Sequence, residues 1–300
     1  MAEVEELASE SDAVPAITDQ PSVPGLEGFV RLSSTPKVTN DALGPLAPLV
    51  GTWVGNTGWN MIALPQDKGF LLLVRPYVET ITFAPIGAPV PNRQGGGDPT
   101  LFINGITYDL RVSDAQTNQP MHIENGMWLM LNQGDPQDPI VARHATIPHG
   151  DSALTMGNFF EIAGPPPISD QNGVPDPGPD TPLGYLDPYG VVKPPFQPSN
   201  VVSTLQEVIA QQKISKTTTI IVDSANSGGV VNIPFVVKNA DVSRFQCIFW
   251  IETVVNPDGS TFEQLQYFQQ VDLNFLPTFG GPPGSLIMWP HTNVNTLVKQ

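Results

Sequence analysis

Positive charge is scarce in this chain: 13 Lys and Arg stand against 29 Asp and Glu in 300 residues, a formal net charge of −16. General affinity for nucleic acid or for an anionic membrane needs a basic face, so neither is expected as a partner. Cysteine is scarcer still. Cys247 is the only one, which excludes disulfides within the chain and thiolate clusters for a metal. Its apolar, strand-like surroundings mark it as a plain buried residue. No run of about 18 apolar residues occurs, so no transmembrane helix is expected. The start Met1–Glu6 lacks the basic residues of a secretory signal, and a cytoplasmic location is the expectation.

Several catalytic signatures are missing as well. The four histidines include no H-x-x-x-H pair for zinc. There is no G-x-S-x-G nucleophile elbow and no C-x-x-C-H for covalent heme attachment. Gly95, Gly96 and Gly97 precede neither a helix nor a Lys, so they form a turn rather than a phosphate loop. No solenoid period is present.

Proline and glycine are plentiful, at 33 and 27, while only 14% of residues are charged. Many turns and few long helices follow, hence an all-β chain, and all-β barrels of this length often form one domain. The clearest start is Pro45–Trp59, a turn-like lead-in running into a glycine-spaced strand. Trp53 is placed to plug a barrel floor, and Gly51, Gly55 and Gly58 let the strand coil so that the sheet closes.

Further strands follow by period-two alternation. Leu71–Phe83 is one long strand bent at Pro76, with Tyr77, Glu79, Ile81 and Phe83 on one face. A carboxylate at position 79 is either paired inside or turned out by a bulge, and turning out costs less. Ile106–Val112 pairs with Met121–Leu131, and Val141–Ile147 pairs with Ala153–Ile162 around the turn Pro148–Asp151. Strands resume at Lys216–Val222, Val230–Val237, Phe245–Val255, Phe262–Phe275 and Leu286–Val298.

Residues 1–40 are acidic with little apolar periodicity, a composition that does not offset its ordering entropy unaided. They read as a flexible tail, with Leu26, Phe29, Val30 and Leu32 as contacts if it wraps a second copy in a homo-oligomer. Residues 41–300 read as the barrel domain. Within it, residues 164–199 hold eleven prolines and no periodicity, so they read as an insertion, either a lid or an excursion. Val201, Leu205, Val208 and Ile209 have helical spacing after Ser199 and Asn200, which suits a short amphipathic helix lying over one barrel mouth.

The candidate chemistry sits on histidines and carboxylates. His122 and Glu124 are two apart on a strand and share a face. If that face is the cavity, the pair is a hydrogen-bond donor or a general base; otherwise it is structural. His149 stands on a turn, where a solvated imidazole suffices, and His144 fits either face. His291 follows Pro290, which stiffens its approach, and a neutral imidazole fixed in a cavity wall is the usual axial ligand of heme iron.

Four separated segments carry a resemblance. They are Pro48–Gly58 with its Gly-Thr-Trp, Tyr77–Phe83, Pro120–Trp128 with Met121, His122, Glu124, Gly126 and Trp128, and Pro290-His291 followed by Leu297 and Lys299. In this order they resemble the nitrobindin family and its FABP-like heme-binding β-barrel relatives. The resemblance implies a single antiparallel, calycin-like barrel of about ten strands. It also implies heme b as cofactor, His291 as the metal ligand, and Trp53, Tyr77, Met121, His122 and Trp128 around it. The cavity wall is expected to hold Tyr77, Phe83, Tyr108, Met121, His122, Trp128 and His291. Reactivity toward nitric oxide, peroxynitrite or peroxide is implied too, as a peroxynitrite isomerase or peroxidase-like activity, with His122 and Glu124 as its catalytic pair. The acidic tail and the insertion depart from the family pattern. Two other readings stay open: a carrier of a fatty acid or other apolar small molecule without heme, and an acid/base enzyme using Glu79, Glu124 or His122.

Overall fold

A computed structural model describes residues 42–87, 90–91, 102–131 and 140–300. The acidic tail and the Gly95–Gly97 turn lie outside the described residues. The strands are β1 (Gly51–Gln66), β2 (Gly69–Pro85), β3 (Val90–Pro91), β4 (Phe102–Asp114), β5 (Pro120–Leu131), β6 (Ile140–Ile147) and β7 (Asp151–Ala163). They continue as β8 (Lys213–Asn232), β9 (Asp241–Val255), β10 (Thr261–Pro277) and β11 (Leu286–Lys299). All neighbours pair antiparallel. β1 joins β11 and β2, and β2 joins β4 from Tyr77↔Asp114 to Pro85↔Ile106, so ten strands close a barrel with the two-residue β3 as an appendage on β4.

Closure is prepared in β1. Its register with β2 slips between Gly55 and Gly58, a bulge that bends the strand. Glycine is required there by space: a Cβ on Gly58 would run into the Tyr77 ring. The lead-in is a 3-10 helix, Gly44–Leu49, that buries Pro45, Leu46 and Leu49. The Trp53 indole N–H donates to the Leu49 carbonyl at 2.6 Å. From the far end of the chain, Lys299 donates to the Pro48 carbonyl at 2.7 Å and lies over the Trp53 ring.

Alternation on β1 sends Asn60, Ile62 and Leu64 into the barrel and Trp59, Met61 and Ala63 out of it. The outward three are buried all the same, at 1%, 0% and 1% exposure. Residues 164–212 cover them. Trp59 stacks on Phe196 at a centroid separation of 5.0 Å and donates to Thr204 at 3.3 Å. A Cβ on Gly173 would touch the end of Met61, and Gln266 donates to the Leu205 carbonyl at 3.3 Å. Tyr185 and Tyr189 join Phe70, and Tyr185 also meets Trp289 and Phe279. The covering segment is tied to itself by Asn200, which donates to Asp170 and Gln206, and by Gln206, which donates to the Ile168 carbonyl.

Two expectations are corrected. The helix Ser203–Ile209 lies against the outer wall rather than over a mouth, because Trp59, Gln266 and the surrounding apolar face of the sheet offer it more to bury than the polar rim does. The strand expected at Val230–Val237 is two things: β8 runs unbroken to Asn232, and Pro234–Asn239 is a short helix. Pro234 starts that helix, where its missing N–H has no intrahelical partner to lose and its fixed φ suits the first turn.

A candidate ligand cavity with a polar floor

The barrel encloses a cavity of about 690 Å³, within the ~300–1,000 Å³ typical of sites for small molecules and cofactors. Its walls are largely aliphatic, among them Ile62, Leu110, Val112, Met121 and Val271. At the mouth stand the helix Pro234–Asn239, the turn carrying His149, and Arg75. Nothing from residues 164–212 lines it.

Of the residues expected from sequence, Tyr77, Met121, His122, Glu124 and His291 line the cavity. Trp53, Phe83, Tyr108 and Trp128 are buried elsewhere. Trp53 closes the floor against Leu49, and Trp128 is enclosed between Phe249 and the Arg143 guanidinium. Tyr108 supports the site from behind by donating to Glu124. Glu79 points inward, because Tyr267 and Asn295 on the facing strands supply hydrogen bonds that a bulge would forfeit. His144 faces outward and Cys247 is a buried free thiol.

His291 is fixed by partners far away in sequence. The Asn60 amide nitrogen lies 2.6 Å from His291 Nε2 and donates at 2.8 Å to Asn293 Oδ1. With the Asn60 amide in this orientation its nitrogen donates, which assigns the ring proton to Nδ1. Desolvation, with smaller contributions from His122 and His149, pushes His291 down to about 3. The imidazole is therefore neutral at physiological pH, as an iron ligand must be.

Two buried carboxyls behave in opposite ways. Burial raises both. For Glu124 the opposing effects win: Arg143 Nη2 at 2.6 Å, His122 and the Tyr108 hydroxyl hold it down at about 2. Arg143 itself is enclosed by the rings of Tyr108, Trp128 and Phe245, with centroids 5.0–5.3 Å from its Cζ. Among the described residues, none forms an ion pair with Glu79. Its Oε2 accepts from Tyr267 and Asn295, each at 2.8 Å, its Oε1 has no partner, and burial raises it to about 7. Tyr77 and Tyr267 share a hydroxyl contact at 2.7 Å behind it.

A file of side chains leads from the floor to the mouth. His122 Nε2 lies 3.5 Å from Glu124 Oε2, and His122 Nδ1 lies 3.3 Å from His149 Nε2, the two rings stacked at 5.4 Å. Among the described residues, no group of three His, Cys, Asp or Glu is placed to hold a bare metal ion. The donor set fits a b-type heme: one neutral imidazole facing an enclosed, aliphatic cavity. Iron would take Nε2, the atom that Asn60 now holds.

Sequence reasoning missed Asn60, Asn293, Tyr267, Gln269 and Arg143. The available signal was a polar residue at an inward position of an otherwise apolar alternation, as with Asn60 beside Ile62 and Leu64.

The crystal structure of Rv2717c from M. tuberculosis is similar at 16% identity and a TM-score of 0.43, covering 86% of this chain and 97% of that one. No curated protein matches the sequence. The resemblance read from the residues is met by a family model: residues 42–162, from the lead-in through nearly all of β7, match the THAP4-like, heme-binding beta-barrel domain.

Proposed function

We propose that the barrel binds heme b, with His291 as the residue that would hold its iron. The observation that carries this reading is the neutral imidazole held in the wall of the enclosed cavity. The match of residues 42–162 to a heme-binding family supports it, although His291 lies beyond the matched segment. Bound heme would supply an iron site for nitric oxide, peroxynitrite or peroxide. The chain's own part is to present Nε2, to exclude water with Ile62, Val112 and Val271, and to place the His122–Glu124 pair at the cavity's edge. Asn60 would give up its contact with Nε2 to the iron and would keep Asn293 Oδ1 as the acceptor for its amide.

Hemin added to the purified protein gives a Soret band. His291→Ala removes the band while the far-ultraviolet circular dichroism stays unchanged. An unaltered Soret spectrum in the folded variant overturns the assignment. With heme bound, His122→Ala keeps the band and alters the rate of peroxynitrite or peroxide decay.

A further inference from the structure

The polar floor is left unexplained by heme ligation at His291. We propose that it is a second subsite, at which Glu79 receives the ammonium head of an apolar amine whose hydrocarbon body fills the aliphatic part of the cavity.

Glu79 is 0% exposed and lines the cavity, yet its Oε1 has no hydrogen-bond partner. An unmet buried acceptor is costly, and the nearby donors are already engaged. Tyr267 and Asn295 are bound to Oε2. The Tyr77 hydroxyl donates to the Val294 carbonyl. Arg143 gives Nε to Tyr108, Nη1 to Gln269 and Nη2 to Glu124. Water or a ligand in the cavity is the remaining source of a donor for Oε1. Glu124 lines the same cavity, and its Oε2 has His122 Nε2 at 3.5 Å as its polar neighbour. With Arg143 balancing the charge of Glu124, it is the ionised form of Glu79 that repels a fatty-acid head and attracts a cation. Above them, Ile62, Leu110, Val112 and Val271 suit an alkyl or aryl body. The chain's net charge of −16 draws cations toward the protein.

This subsite makes a proton-linked claim. The ionisable groups facing Glu79 are Glu124, whose charge Arg143 balances, His122, and the phenols Tyr77 and Tyr267, which burial keeps neutral. With its own titration near 7, Glu79 is part protonated at neutral pH. An arriving ammonium favours the carboxylate, so the Glu79 proton leaves to the buffer and the amine keeps its own.

The test is calorimetry of n-decylamine binding to the full heme-free chain, below the micelle concentration, in two buffers of different ionisation enthalpy. n-Decanol and decanoate serve as comparison ligands. Decylamine is expected to bind at least tenfold more tightly than decanoate and to release protons at pH 6 and 7, with the release vanishing by pH 9. Glu79→Gln weakens decylamine at least tenfold and abolishes the release. Binding without proton release by the unaltered protein overturns the proposal whether or not the variant folds, and so does decanoate binding as tightly as decylamine. The heme reading stands or falls separately: His291→Ala leaves decylamine binding in place, and Glu79→Gln leaves the Soret band in place.

Discussion

On β1 the face turned away from the barrel is more completely buried than the face turned into it. Trp59, Met61 and Ala63 are sealed under residues 164–212, whereas Asn60 keeps 9% of its surface and Ile62 and Leu64 keep more. The usual assignment of core to the inside of a small barrel is inverted along this wall. An apolar layer outside the sheet supplies burial that the hollow interior forgoes, and the interior can then hold space and polar groups at modest cost to stability.

The largest effect should come from the outer layer. Trp59→Ala is expected to lower unfolding free energy by about 3–5 kcal/mol, read by urea denaturation. Leu73→Ala trims a half-buried side chain at the edge of an existing cavity and should fall at or below the lower end of the ~2–5 kcal/mol that burial in a packed core gives. Equal costs at the two positions would break the comparison. Inside the barrel, the exception is the buried ion pair. Arg143→Met strands an ionised Glu124 and should cost about 3 kcal/mol or more, and adding Glu124→Leu should recover most of that loss.

Smaller effects follow from pH, and they join the two regions. Burial raises Glu252, on β9, to about 8, against a hydrogen bond from Gln264, as it raises Glu79 to about 7. Both keep a proton in the folded chain that the unfolded chain releases above about 4.5. Stability therefore falls as pH rises from there through 7 and 8, by at most about 1.4 kcal/mol per pH unit per carboxyl. Glu252→Gln should flatten the upper part of that decline in a series of melting temperatures and leave decylamine binding untouched. Glu124 and His291 act in the opposite direction. Each is depressed in the fold, so stability is lost as pH falls from about 6.5 toward 3 for His291 and from about 4.5 toward 2 for Glu124. Glu124→Gln should weaken the acid-side loss.

Much of the barrel was legible because its signals are local. The glycine spacing around Trp53, the alternation from Tyr77 to Phe83 and the turn at Pro148–Asp151 each lie within one hairpin, and the structure keeps all three. Val236 and Val237 misled because β-branched residues suggest a strand, while the helix is set by Pro234 and by what packs beneath it. The covering role of residues 164–212 could not be read from period. Phe196, Tyr185 and Tyr189 each bury alone in an irregular segment, and their partners Trp59 and Phe70 lie more than a hundred residues away. The site divides in the same way. Tyr77 and His122 followed from alternation on their own strands and Met121 from the resemblance, but the Asn60 contact that holds His291 spans 231 residues and leaves no trace in either neighbourhood.

The stacked imidazoles of His122 and His149 tie the buried end of the site to its rim. The exposed His149 ring lies on His122, whose Nε2 reaches Glu124, so a carboxylate sealed inside the barrel is joined to the surface by side chains alone. A ligand filling the hollow would leave that file in place, with its outer ring still in the surrounding water.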